Sequence, residues 1–409
     1  MSCIRLVKAS AFYPGYMRGV YEKSRGLERA SYAEQWQALM GGCFGWADSW
    51  KTHLESTGRF EVIEVVTNAE FLQKAWAREQ GAKVSEERWR SEIVRAQARH
   101  YRPDVFFPHD YSNLDKTLWL ALKQELPGLI VVGYDGLVLC DPARFEGCDL
   151  VLGCSEVITE VYARAGFDSH FFKLGFETSV LGKLRAGRDL YPVSFVGGIS
   201  LGQKGHNRRL SFLESMIKEV PLDLFLEAPH LFGGLICVLH NLRRGQWSNA
   251  FRRAPRQILQ LLELQRHNRG ALYGLPMYQA LADSGMTLNI HIDAAGSRAA
   301  NMRLFEGTGV GTCLVTDWKE NILEFFEPDR EVVTFKSREE CQEKIGYLLG
   351  NEGERRKIAR AGQKRTLEYH TLKDSILQAG ERIAGCLRRR GTLTPAAGAQ
   401  PTGEASKAG

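Results

Sequence analysis

Two stretches of this sequence combine residue types suited to holding an anionic, hydroxyl-rich ligand. The first is Asn289–Asp317, NIHIDAAGSRAANMRLFEGTGVGTCLVTD, in which a small-residue loop with Gly296 and Ser297 precedes a predicted helix. Backbone N–H groups at the positive end of a helix suit a diphosphate. Glu306, farther along that helix, can accept hydrogen bonds from vicinal hydroxyls such as those of a ribose. The same loop serves equally as plain turn chemistry and the glutamate as a solvated side chain, so spacing alone leaves both readings open. The second stretch is GGISLGQKGHNRR, where Lys204, His206, Arg208 and Arg209 follow a predicted strand end. Such cations can clamp a diphosphate leaving group, or form a solvated basic loop.

In the first half, His109-Asp110 and Asp135-Gly136 each fall at the carboxyl end of a predicted strand. A carboxylate there can orient an acceptor or sugar hydroxyl; the alternative is that these residues cap a helix and make a turn. No D-x-D triplet occurs, so no metal is expected, and charge on a departing diphosphate must be met by fixed donors. The nine cysteines include no C-x-x-C pair, and Cys140, Cys148 and Cys154 match no common zinc spacing. Reduced thiols are the expectation.

The elements that must position these residues alternate. In the first half, Ile4–Ala9, Phe60–Val66, Asp104–Pro108, Leu129–Tyr134 and Leu150–Gly153 read as strands. Helices are predicted over Ser31–Ser56, from Ser85 to about His100, over Leu114–Glu125 and from Ser155 to Ala165. The rhythm restarts with strands at Val193–Val196, Leu222–Leu226, Thr287–Ile292, Cys313–Thr316 and Val332–Phe335. Helices there are expected at Arg208–Glu219, Ala300–Thr308 and Ser337–Leu349, with two more to follow. This pattern predicts two doubly wound α/β domains with parallel sheets, ligands seated at the strands' carboxyl ends.

A chain of 409 residues is too long for one core. The expected division is 1–186, 187–372 with a basic helical insertion at about 228–271, a helix over 373–390, and a disordered tail over 391–409, with the hinge near Gly182–Tyr191. Met1–Gly15 carries no apolar stretch suited to a signal peptide, and Leu231–Leu239, the longest apolar run, is about half of what spans a bilayer. A cytoplasmic protein is therefore expected. Between Asn241 and Gly270 seven arginines face one acid, Glu263, which accounts for the whole formal net charge of +6. This local basic surface points to an anionic partner rather than to nucleic acid. With Trp247, Phe251 and the stripe Ile258-Leu259-Leu261-Leu262 interleaved, it reads either as an element lying peripherally on an anionic inner leaflet or as a helical hairpin packed on its own domain.

Met302–Asp317, followed by LEFF at Leu323–Phe326, EVVTF at Glu331–Phe335, Glu339–Leu349 and IARAGQKRTLEYH at Ile358–His370, resembles the C-terminal domain of group 1 glycosyltransferases, and in particular the CgeB-like branch. The likeness covers about Ala271–Thr371; the first half matches more loosely. It implies a GT-B fold of two Rossmann-like domains facing a cleft. The implied activity is retaining, metal-independent transfer of a sugar from a nucleotide-diphosphate donor to a glycan or lipid-linked acceptor, in envelope polysaccharide or glycoconjugate biosynthesis. A non-catalytic sugar-nucleotide-binding or surface-layer protein is the alternative that the CgeB likeness allows. A sugar-nucleotide epimerase or hydrolase is a more distant one.

By the same resemblance Glu306 matches the second glutamate of an E-x7-E signature, which holds the nucleotide ribose, and Arg303 falls in its R-x-F-E element. The first glutamate is replaced by Arg298, a change suited to phosphate or an acidic sugar. Gly296, Ser297, Gly307 and Thr308 would lie beside the diphosphate and nucleoside, and Tyr273-Gly274 would line the base pocket. Lys204-Gly205 matches the phosphate-loop Lys-Gly pair, with Gly198 where an arginine is expected. His109-Asp110 is similar to the family's HxHD strand end, and Asp135 takes the place of a histidine near the transferred sugar.

Overall fold

The computed structural model describes residues 3–110, 113–136, 141–199, 207–227, 254–299 and 301–391. Lys204 with its loop, most of the basic insertion including Leu231–Leu239, and the tail past Gly391 lie outside them.

Six strands form the first sheet: β1 (Ile4–Ser10), β2 (Phe60–Val66), β3 (Val105–Pro108), β4 (Ile130–Asp135), β5 (Leu150–Gly153) and β6 (Ser169–Phe171), in the order β2-β1-β3-β4-β5-β6. Five form the second: β7 (Tyr191–Gly198), β8 (Leu222–Glu227), β9 (Ser284–Asn289), β10 (Cys313–Asp317) and β11 (Val333–Phe335), in the order β11-β10-β9-β7-β8. Neighbouring strands run parallel throughout. In β1 the residues of both faces are buried, Ile4 and Leu6 in one apolar cluster and Val7 and Ala9 in another. That is what a parallel sheet covered on both sides requires. Each sheet changes its direction of growth once, between β1 and β3 and between β7 and β9, and the rule for open α/β sheets puts ligands at those points.

The chain crosses from one unit to the other through the 3-10 segment Thr178–Lys183. It returns beside that crossing, where the Phe176 N–H donates to His370 O and the Leu372 N–H donates to Phe176 O, at 2.8 and 2.9 Å. Helix Leu372–Arg389 then lies on the first unit, burying Ile376, Ala379, Ile383 and Leu387. Its Gly380 sits where a β-carbon would come 2.6 Å from the Leu54 side chain. Each fully buried Ile or Leu contributes about 1.5–3 kcal/mol. The exposed ion pairs at its rim, Arg59–Glu381 and Arg389–Asp168, are worth about 0–1 kcal/mol each, so apolar packing dominates this clasp.

Local structure departs from the sequence reading where glycines and tertiary contacts intervene. The single helix expected over Ser31–Ser56 is two, Tyr32–Gly41 and Ser49–Glu55. Between them Cys43, Gly45 and Ala47 take positive φ, and Gly42 is held against the Tyr16 hydroxyl, leaving no room for a helix to continue. The helix expected from Ser85 begins at Trp89, because Glu92 reaches back to accept from the Ser85 N–H at 2.7 Å. Helices Glu70–Glu79 and Gly274–Ala282 and strand β6 were not legible in the residue pattern. Of the basic insertion, helix Ala254–Arg266 is described: Leu261 and Leu264 are buried against the second unit, whereas Leu259 and Leu262 are exposed. No described helix is long and apolar enough to cross a membrane.

Candidate functional site between the two sheets

The carboxyl ends of β7 and β8 face the loop after β1 across a crevice of about 370 Å³. Ala11, Tyr13, Phe44 and Gly45 wall it on one side; Val196–Gly198, Glu227, the Ala271–Gly274 segment, Arg303 and Glu306 wall it on the other. It therefore lies beside the reversal points of both sheets.

Glu306 is buried at the floor of this crevice, on the helix Arg303–Gly309. Arg303 pairs with one carboxylate oxygen at 2.8 Å and the Tyr278 hydroxyl donates to the other at 3.2 Å. Burial, then the charge of Glu306, push the Tyr278 phenol well above its ordinary value, so it stays a donor. The carboxylate is thus oriented in advance. Gly307 and Thr308 turn away from the crevice. A β-carbon on Gly307 would meet the Thr287 methyl at 2.9 Å, and Thr308 Oγ1 lies 2.6 Å from Thr366 Oγ1. These small residues let the helix lie close on β9 and on the helix Glu352–Tyr369.

Tyr273 and Gly274 carry the second unit onto the first. Gly274 has φ +57°, and a β-carbon there would lie 2.0 Å from the Gly42 carbonyl oxygen. The Leu275 N–H donates to that same oxygen at 2.8 Å. The Tyr273 ring stands edge-on to Phe44 and Tyr13, with centroids 5.9 and 6.3 Å apart. Burial, then a hydrogen bond to Glu227, raise its phenol above the ordinary value.

The loop carrying Gly296 and Ser297 is pinned to the loop after β10. Lys319 Nζ donates to Gly296 O at 2.7 Å, Ser297 Oγ donates to Glu320 at 2.9 Å, and the Glu320 N–H donates back to Ser297 O at 2.8 Å. The N–H groups of Ala295, Gly296 and Arg298 are taken within the loop, and that of Ala299 by Asn321 at 2.6 Å. The helix starts only at Arg303, so these amides do not form the exposed cradle that the sequence suggested. Arg298 instead spans the cleft: its Nη2 donates to Glu156, the first residue of helix Glu156–Arg164 in the other unit, at 2.9 Å, and to Glu324 at 3.4 Å.

Arg209 is buried, its guanidinium donating to Gly198 O at 2.8 Å and to Ile290 O through Nε at 3.1 Å. It stitches the carboxyl ends of β7 and β9 rather than presenting a free charge, and burial brings its pKa down to about 10. Arg208, next to it, is exposed. Two residues missed in the sequence stand at the same edge. His291 Nδ1 donates to Asp317 at 2.7 Å, while its buried Nε2 has no partner. Burial pushes Asp317 up, but the His291 bond and the charges of His291 and Lys319 outweigh it and hold the carboxyl below its usual value. Polar residues clustered just past a strand's apolar run were the available signal. Tyr278 carried none, since it sits among apolar positions of an unanticipated helix.

In the first unit, half-buried His109 stacks on Trp46 with centroids 4.6 Å apart. Burial, then the nearby Lys8 charge, hold its pKa well below the ordinary value, so the ring is neutral. Lys8 itself is paired inside the sheet with Glu64 at 2.8 Å. Asp110 is buried, accepting from the Thr67 hydroxyl and from Asn113 N and Nδ2 at 3.2 and 2.8 Å, which makes it the anchor of the turn. Asp135 is fully buried and accepts from the Tyr162 hydroxyl at 2.7 Å. None of these three lines the crevice that holds Glu306.

Two parallel sheets opposed across such a crevice fit the GT-B fold of two Rossmann-like domains. Residues 211–379 match the model of a family described as glycosyl transferase-like. Among solved structures, a glycosyltransferase from Rickettsia africae is similar at 11% identity and TM-score 0.56, covering 95% of this chain and 100% of its own. Anabaena HepE in complex with UDP and glucose is similar at 12% identity and TM-score 0.57, with 93% and 100% covered. Sucrose-phosphate synthase from Thermosynechococcus elongatus is similar at 11% and 0.55, with 94% and 100% covered. At these identities the likeness is one of fold. No curated protein matches the sequence.

Proposed function

We infer that this chain is a glycosyltransferase that holds a nucleotide-diphosphate sugar in the inter-domain crevice and passes the sugar to a glycan or lipid-linked acceptor bound on the first unit. The observation that carries this reading is Glu306, a buried carboxylate fixed by Arg303 and Tyr278 at the floor of a crevice walled by Tyr273, Gly274 and the end of β7. A carboxylate held in this way is matched to the paired hydroxyls of a ribose. HepE, of similar fold, was crystallised with UDP-glucose. In transfer, an acceptor oxygen bonds to the anomeric carbon while the bond from that carbon to the diphosphate breaks. The electrons leave with the nucleoside diphosphate, and the acceptor proton passes to a base. Of the residues at the first unit's carboxyl edge, His109 is neutral and partly accessible and can accept a hydrogen bond from an acceptor hydroxyl, but its lowered pKa makes it a weak base. Asp110 and Asp135 are buried and occupied and support the strand ends. Lys204 and Arg208 would meet the leaving charge without a metal, Arg209 holding their strand ends in place. Retention of configuration, a role in envelope polysaccharide or glycoconjugate synthesis and a cytoplasmic location complete the proposal, on the resemblance to group 1 enzymes.

Titration with UDP-, GDP-, ADP- and dTDP-sugars, each alone and with candidate acceptors, tests it: one nucleotide series should bind, and free nucleoside diphosphate should appear only with an acceptor. Failure of every nucleotide to bind sinks the reading. Binding without transfer would favour the non-catalytic alternative. One observation supports that alternative: Arg298, in place of a donor-contacting glutamate, is already engaged by Glu156 and Glu324. The exposed Leu259 and Leu262, beside Arg256 and Arg266, support contact of helix Ala254–Arg266 with an anionic membrane surface. Vesicle flotation at low salt decides that point.

A further inference from the structure

A second cavity, of about 450 Å³, opens at the opposite edge of the second sheet. Its walls are the linker residues Leu184, Arg185, Ala186, Gly187 and Asp189, the start of β9 at Ser284-Gly285, Gly311 ahead of β10, and Arg355 and Arg356 on the helix Glu352–Tyr369. The length of a six-residue strand, about 20 Å, separates this edge from the crevice at the carboxyl ends.

The linker lies in a defined course here. Its Arg185 N–H donates to the Gln279 side chain at 2.9 Å and its Arg188 N–H to Asp283 at 3.1 Å. A β-carbon on Gly187 would come 2.1 Å from Ala282 O, so the cavity's rim depends on that glycine. The charge is unbalanced. Arg356 is offset by Asp189 at 3.2 Å and by Glu352 at 2.6 Å. Arg355 is held by one backbone carbonyl, donating to Leu348 O at 2.9 Å. Among the described residues neither Arg355 nor Arg185 has an ion-pair partner.

We propose that this cavity binds a small phosphorylated metabolite between Arg185 and Arg355, and that occupancy sets the relation of the two units. The volume suits a ligand of sugar-phosphate size. Guanidinium forks match phosphate oxygens in a bidentate way that a lysine point charge does not. One of the two cations is on the linker and the other on the helix that leads into the return crossing, so a phosphate joining them ties the crossing segments together. A ligand with different affinities for two arrangements shifts their populations by that difference.

The test is calorimetric titration of inorganic pyrophosphate and inorganic phosphate into the full chain and into Arg185→Ala, Arg355→Ala and Lys204→Ala, the last removing the diphosphate contact proposed for the other crevice. A saturable site should weaken about tenfold or more in each arginine variant, the loss of one charge-assisted contact, and persist in Lys204→Ala. Arg185 is exposed, so its variant keeps the fold and the comparison stands even where Arg355→Ala does not. Absence of saturable binding, or binding of equal strength in Arg185→Ala, overturns the proposal. Neither result depends on whether the protein transfers sugar.

Discussion

Gly42 and Gly274 meet backbone to backbone across the cleft. The Gly42 carbonyl oxygen accepts from the Leu275 N–H at 2.8 Å, and Gly274, at φ +57°, stands where a β-carbon would come within 2.0 Å of that oxygen. The contact holds the segment walling the crevice against the broken helix of the first unit.

Gly274→Ala should therefore separate the units locally. The left-handed backbone costs about 1 kcal/mol for alanine, and the clash adds to it. Chemical denaturation should show a loss of about 2 kcal/mol or more, with nucleotide binding weakened alongside. A variant as stable as the parent would refute the contact.

Glu306→Gln keeps the shape of the side chain and removes its charge. Losing charge-assisted hydrogen bonds worth about 1.5–3 kcal/mol should weaken nucleotide-sugar binding roughly ten- to a hundredfold. Binding calorimetry checks this. Because Arg303 is left without its partner, a modest fall in melting temperature should accompany it.

Lys204→Ala should lower turnover about a hundredfold with the melting temperature unchanged, since one fixed donor to a departing oxyanion is worth roughly 3 kcal/mol of barrier. Arg209→Ala should behave in the opposite way. Its guanidinium joins Gly198 O to Ile290 O, and removing it leaves buried carbonyls unmet at about 1–3 kcal/mol each, so the melting temperature falls.

Stability should decline on acidification through His370. Burial, then the charges of Lys173 and Arg365, hold its pKa down to about 4 against the pull of the Phe325 carbonyl. The unfolded chain takes up a proton near pH 6.5 that the folded chain refuses until about pH 4, so the contribution is complete above 6.5 and lost as pH falls toward 4. At about 1.4 kcal/mol per unit, the two and a half units amount to about 3.5 kcal/mol. Unfolding free energies of His370→Gln should show a flatter slope across that window.

Double-mutant analysis of Glu156→Ala and Arg298→Ala should give a coupling below about 1 kcal/mol, as expected for a partly exposed pair. Glu156→Ala alone should leave nucleotide affinity unchanged. A fall in affinity with Arg298→Ala only would assign the arginine to the donor.

By itself the sequence determined the alternation of apolar strands and helices and hence two parallel sheets, because buried strands and their spacing are local properties of the chain. The GT-B plan and the interest of Glu306 came from the resemblance to group 1 glycosyltransferases. Only the tertiary structure decided which polar groups are free to meet a ligand. Arg209, Asp110, Asp135 and the amides around Gly296 turn out to be occupied by partners between 3 and 81 residues away. Tyr278 reaches Glu306 across 28 residues through a helix with no amphipathic signal, and Gly42 breaks a helix to receive Leu275. Hydrogen-bond satisfaction and backbone approach are properties of distant pairs, and no pattern along the chain encodes them.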